Sequence, residues 1–176
     1  MTEAERFVEK AEAAGAEVHS FERVEDALAF ASGFLAKDGE RSVLVSPDLM
    51  SRPVFAAALA DAPALRPPAG DLWLDYGVVA ADFGIAETGT LVHFDHSDAE
   101  KDPWTLPDAC VCFLEREQIV PGSEAIADRI ENHLSRTDLG SPQASFVTGP
   151  SRTADIESQL TIGVHGPARL VIILLP

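Results

Sequence analysis

The chain has 176 residues, 46% of them apolar, enough to bury a sizeable core in one domain spanning residues 1–176. It carries 29 acidic against 13 basic residues, a formal charge of −16 in which lysine appears only at Lys10, Lys37 and Lys101; such a surface repels phosphate backbones and anionic lipid and excludes direct nucleic-acid or membrane binding. No segment approaches the roughly 20 apolar residues of a spanning helix, and the opening "MTEAERFVEKAEAAG" is acidic and amphipathic rather than signal-like, so a cytoplasmic location is expected.

Thr2 to Ala14 reads as a helix closed by Gly15 in a left-handed cap, and "AEVHSF" has the brevity of a strand. Val24, Ala27, Leu28, Ala31, Phe34 and Leu35 draw one apolar stripe along the next helix. "SVLVS" is a short buried strand, Pro53 opens a helix to about Ala60, and the proline-rich Ala62 to Gly70 is a connection. "FGIA" and "LVHF" are two strand pieces joined by a turn at Thr88-Gly89-Thr90. The polar "DHSDAEKDPWTLPD" is expected as a surface loop, either a lid or a segment pinned to the body by Trp104.

"ACVCFLE" is a strand that turns Cys110 and Cys112 to one face, which disfavours a disulfide between them and makes both reduced core thiols. A helix capped by Ser123 has Ile126, Ile130 and Leu134 at four-residue steps, "ASFVT" is a strand, and a short helix runs from Asp155 to Leu160. The closing "RLVIILL" is apolar on both faces and belongs at the centre of a sheet. Strand and helix alternate, predicting an α/β fold with a mainly parallel sheet covered by helices on both faces. The acidity fits either an ordinary acidic protein or a high-salt cytoplasm, in which screening removes the self-repulsion.

In such sheets ligands bind beyond the carboxyl ends of the strands, and three segments placed just after strands carry candidate chemistry. Glu87, before Thr88, Gly89 and Thr90, is a general acid or base or a nucleophile in a desolvated pocket, or else a structural acid that fixes the turn. "TGPSRT" places Gly149, Ser151, Arg152 and Thr153 at a predicted helix start, which makes an anion cradle, or else a hydroxyl-capped helix with Arg152 paired to Asp155. "GVHGP" offers His165 as an acid–base group or oxyanion donor beside Gly166, or as a hydrogen-bonded structural residue. His93 and His96 follow the first motif, but their spacing with Glu87 matches no metal site.

In that order, "ADFGIAETGTLVH", "VTGPSRTADIE" and "GVHGPARLVIILL" resemble the signature of the lactate-utilisation domain family, from about Tyr76 to the C-terminus. The resemblance implies a three-layer αβα sandwich similar to ribose-5-phosphate isomerase and CoA transferases. It also implies an accessory role in oxidising L-lactate to pyruvate with two partner proteins, at least one carrying iron–sulfur clusters. No cofactor is expected in this chain, because two cysteines fall short of the usual four cluster ligands. By analogy with the glutamate turn of CoA transferases, Glu87 is the candidate nucleophile or acid–base group with His165. A small carboxylate or phosphate would then bind at Thr88, Gly89, Thr90, Gly149, Ser151, Arg152, Thr153 and Gly166. The rival expectations are a stand-alone acyl-CoA or phosphosugar transferase or isomerase using Glu87, and a non-catalytic scaffold or regulatory partner. The sequence departs from the family pattern at His93, where an aliphatic residue is usual, and in the acidity of the loop that follows.

Overall fold

The computed structural model describes residues 1–37, 42–51, 55, 74–95, 97–136, 138, 142–154, 160–162 and 166–176. Helix α1 (Glu3–Ala13) opens on a capping box in which the Thr2 hydroxyl accepts the Glu5 N–H and the Glu5 carboxylate accepts the Thr2 N–H; it ends at Gly15 with φ 96°. Strand β1 (Glu17–Ser20), helix α2 (Val24–Ala36), strand β2 (Val43–Val45) and a single turn of helix, α3 (Pro47–Met50), follow. The helix expected from Pro53 lies outside the described residues except for Phe55, which is helical and buried, and the Ala62–Gly70 connection lies outside them entirely.

Strand β3 (Tyr76–Ala80) leads into β4 (Phe83–Ile85) and β5 (Thr90–Asp95), then α4 (Asp98–Thr105), β6 (Ala109–Glu115) and β7 (Ile119–Val120). A 3₁₀ turn at Ser123–Ile126 enters α5 (Ala127–Leu134), and β8 (Gln143–Val147), β9 (Arg152–Ala154), β10 (Leu160–Ile162) and β11 (Arg169–Leu175) complete the order.

The main sheet runs β1-β11-β6-β3-β2 with every neighbouring pair parallel. Its two apolar strands, β6 and β11, lie side by side and are buried on both faces. The two-residue period sorts them cleanly. Val111, Phe113, Val171 and Ile173 meet Ala27, Ala31 and Leu35 of α2, while Cys110, Cys112, Leu114, Ile172 and Leu174 face Phe7 and Ala11 of α1. Helices thus cover a parallel sheet on both sides, as the alternation predicts. Both cysteines are free, buried and on one face, and burial pushes both thiols up.

A second sheet, β7-β4-β5-β8, is built on the antiparallel β4–β5 hairpin, with β8 antiparallel to β5 and β7 parallel to β4. Phe83, Ile85 and Val92 on its outer face pack under Ile126 and Ile130; Leu91 on the inner face joins the α1-side core.

Three local expectations are corrected. The supposed loop after β5 is helix α4 with Pro103 inside it; Trp104 is buried and draws the segment onto the core, so tertiary packing overrides a poor intrinsic propensity. Ser123 starts a 3₁₀ turn capped by Gly122 rather than capping an α-helix itself, and Leu134 is exposed. Leu160, the expected end of a short helix, is instead in β10, which pairs antiparallel with β9; residues 155–159 lie outside the described set. Among the described residues no helix is long and apolar enough to cross a membrane.

Candidate functional site

The β4–β5 turn and the segment after β8 meet at the end of α1. Because β5 and β8 pair with Leu91 opposite Val147, the residues just beyond that register, Thr90 and Thr148, are brought together. Their hydroxyls lie 2.7 Å apart, and Thr88 extends the chain with its hydroxyl 2.6 Å from that of Thr90. Gly89 (φ 66°) sits against the α1 backbone, where an added Cβ would stand 2.2 Å from the Ala11 nitrogen. Gly149 (φ 68°) lies against the end of the same helix, with an added Cβ 2.3 Å from the Ala14 carbonyl oxygen. Both glycines answer a left-handed backbone and a close approach at once. Gly89→Ala is expected to cost about 2 kcal/mol from strain and overpacking, measured by urea unfolding.

The "GP" of the third motif joins from the other side: the Ser151 N–H donates to the Pro167 carbonyl at 2.9 Å. The Arg152 guanidinium donates to the Ala14 carbonyl at 2.8 Å, where a cation also complements the helix dipole. One of its five N–H donors is thereby committed.

Between these segments and α4 lies a cleft of about 330 Å³. Cys110 and Leu170, second residues of β6 and β11 and paired in register, form its floor, so it opens at the amino end of the main sheet and not beyond the carboxyl ends where a ligand is expected. Trp104 and Val147 form apolar walls, and Thr105, Phe146, Thr148, Gly149, Pro150, Ser151, Arg152, Gly166 and Pro167 complete the lining. The described lining contains no carboxylate. Clefts elsewhere do: Glu124 and Glu131 beside α5, Glu5 beside α1, Asp75 and Asp108 beside β3.

Of the sequence-predicted residues, Gly149, Ser151, Arg152 and Gly166 line this cleft, and Thr88 and Thr90 reach it through Thr148. Glu87 is exposed on the hairpin turn, its N–H donating to the Pro121 carbonyl, and is absent from the lining. Thr153 lies in β9, paired with Thr161, and the anion cradle's helix start is at that point a strand. His165 and His96 lie outside the described residues.

A second polar cluster, which the sequence reading passed over, sits behind the cleft. His93 is buried, with Nδ1 3.2 Å from an Asp82 oxygen and Nε2 3.3 Å from an Asp95 oxygen. Neither nitrogen is aligned for a linear hydrogen bond, so the pairing is chiefly electrostatic. Asp82 also accepts the Phe94 N–H at 2.8 Å, and the buried Asp95 accepts the Ser145 hydroxyl at 2.5 Å. Burial opposes the imidazolium, but the contact with Asp82 and the charges of Asp82, Asp95 and Asp48 favour it and prevail, raising the His93 pKa above its ordinary value. The His93 ring rests against Trp104, centroids 5.2 Å apart, so this cluster braces a wall of the cleft. The available signal was period two: His93 and Asp95 alternate with Leu91 on the inner face of β5, where polar residues conflict with burial.

A model of the LUD domain matches residues 70–175. Lactate utilization protein C of Bacillus pumilus is 32% identical over 100 residues, covering 57% of this chain and 42% of that protein. The Bacillus subtilis protein of the same name is 31% identical over 99 residues, covering 56% and 41%. Lactate utilization protein C 1 of Bacillus mycoides is 33% identical over 101 residues, covering 57% and 43%. The aligned part thus spans about two fifths of the curated relatives' length. A crystal structure of a DUF162 family protein from Deinococcus radiodurans superposes with a TM-score of 0.62 at 20% identity, covering 100% of this chain and 99% of that one, which supports the α/β fold.

Proposed function

From the premise that this chain belongs to the LUD domain family, we propose that it serves lactate oxidation as an accessory component, binding an organic anion in the cleft between α4 and the β8–β9 segment. The observation that carries the reading is electrostatic. In a chain with 29 acidic residues, the described lining of this cleft has none and includes Arg152. A local positive site inside an acidic field concentrates anions there.

Arg152 meets the anion with its uncommitted N–H donors, and Ser151 adds a hydroxyl. The threonine chain from Thr88 to Thr148 and the two glycines hold the rim against α1. The redox step belongs in this reading to iron–sulfur partner proteins, since Cys110 and Cys112 are buried core thiols with raised pKa values. A stand-alone enzyme acting through Glu87 and His165 draws less support, because Glu87 stands outside the lining.

Arg152→Ala is expected to weaken binding of L-lactate or pyruvate to the purified chain ten- to a hundredfold, as loss of a charge-assisted contact does. A thermal melt of the variant separates this from loss of its bond to Ala14. The accessory role is tested by purification from lactate-grown cells: iron–sulfur proteins should accompany the chain, and lactate oxidation should require it. Oxidation that proceeds without it, or turnover of an acyl-CoA or sugar phosphate by the chain alone that Glu87→Gln abolishes, overturns the assignment.

A further inference from the structure

We propose that the ligand of this cleft is an amphipathic anion with an aromatic-sized apolar body, larger than a three-carbon hydroxy acid; the inference rests on the anion-site reading and adds the other half of the ligand. The cleft measures about 330 Å³, at the lower end of the range used for small organic ligands and cofactors. Lactate occupies on the order of 100 Å³, a few water-sized groups at about 30 Å³ each. Lactate held at Arg152 would therefore leave most of the space to water.

Much of that space is apolar. Leu170 and Cys110 make the floor, and Trp104 and Val147 make walls. Val147 stands opposite Leu91 on the inner face of β8, and Phe146, 49% exposed, borders the opening from the same strand. Trp104 is 6% exposed, and its indole N–H has no partner among the described residues. Arg152, the charged group of the described lining, and Ser151 belong to one segment of the rim, so the charge sits to one side of the cleft; the Thr105 and Thr148 hydroxyls, also in the lining, are engaged with the Lys101 carbonyl and the Thr90 hydroxyl. A wholly polar ligand leaves the apolar walls wet, and a wholly apolar one leaves the guanidinium unused. A ligand with a charged end and a ring-sized body satisfies both.

The test is calorimetric titration of the intact chain with three probes: L-lactate, mandelate, which is lactate's headgroup on a phenyl ring, and benzyl alcohol, which has the ring without the charge. Mandelate should bind at least tenfold more tightly than L-lactate, and benzyl alcohol should bind at least tenfold more weakly than mandelate. Val147→Ser should lower mandelate affinity by a larger factor than it lowers L-lactate affinity. If that variant fails to fold, Thr105→Trp, a change at an exposed position in the cleft lining, should abolish mandelate binding instead. L-lactate binding as tightly as mandelate overturns the inference on ligand size while leaving the anion site standing. Benzyl alcohol equal to mandelate overturns the requirement for charge, and no binding of either anion overturns both readings.

Discussion

Gly77→Ala is expected to lower the thermal unfolding midpoint by roughly 10 °C, corresponding to about 3 kcal/mol for a domain of this size. An added Cβ would lie 1.7 Å from the Pro103 carbonyl oxygen, 2.7 Å from its carbonyl carbon and 3.1 Å from a Pro107 side-chain carbon. Neither backbone can withdraw cheaply. Strand β3 is paired on one side with β2 and on the other with β6, and α4 is fastened to the core by Trp104. The carbonyl that Gly77 accommodates belongs to a helix that an internal proline would otherwise disfavour. Gly33→Ala is the control. It lies in α2 with nothing within 4 Å of an added Cβ, so the same chemical change there should stabilise by up to about 1 kcal/mol. Equal effects at the two positions would mean that α4 does not pack on β3 as described.

The same contact shows why some elements could be read from the sequence and others could not. The strands "ACVCFLE" and "RLVIILL" and the stripe from Val24 to Leu35 announce themselves, because each states its burial in its own residues. The Glu87–Thr90 turn is legible for a similar reason: a glycine between two apolar runs has one economical use. Helix α4 is not legible from "DHSDAEKDPWTLPD", since what seats it on the core is its close approach to Gly77, some twenty residues upstream, together with the burial of Trp104.

Strand β9 fails for a related reason. "TGPSRT" has the composition of a helix start, but at least its last residues pair with Leu160–Ile162. The motif residues nonetheless meet the β4–β5 turn, because the pairing of β5 with β8 fixes Thr90 beside Thr148. What the sequence could not convey is how the donors are spent. Arg152 gives one bond to α1, and the two positive-φ glycines accommodate that helix's backbone as closely as they shape the rim.

His93→Leu is expected to cost about 3–5 kcal/mol at pH 7, the range for removing one partner of a buried ionic cluster. Asp95 is 1% exposed, and without the imidazole its carboxylate keeps the bond from the Ser145 hydroxyl and loses its counter-charge. A domain of this kind has about 5–15 kcal/mol of stability in all, so the single variant should stand close to unfolding. His93→Leu combined with Asp95→Asn should recover most of the loss, because the carboxamide still accepts from Ser145 and carries no charge to compensate. A merely steric role for His93 predicts no such recovery. The pH dependence separates the two further. The folded pKa of His93 is raised above its unfolded value of about 6.5, so the imidazolium's contribution is complete below that pH and is lost as pH rises through the folded pKa. The stability gap between wild type and the double variant, measured by urea unfolding from pH 5.5 upward, should therefore narrow above about pH 6.5. A gap that widens with pH would show that His93 is held neutral and that Trp104 is braced by packing alone.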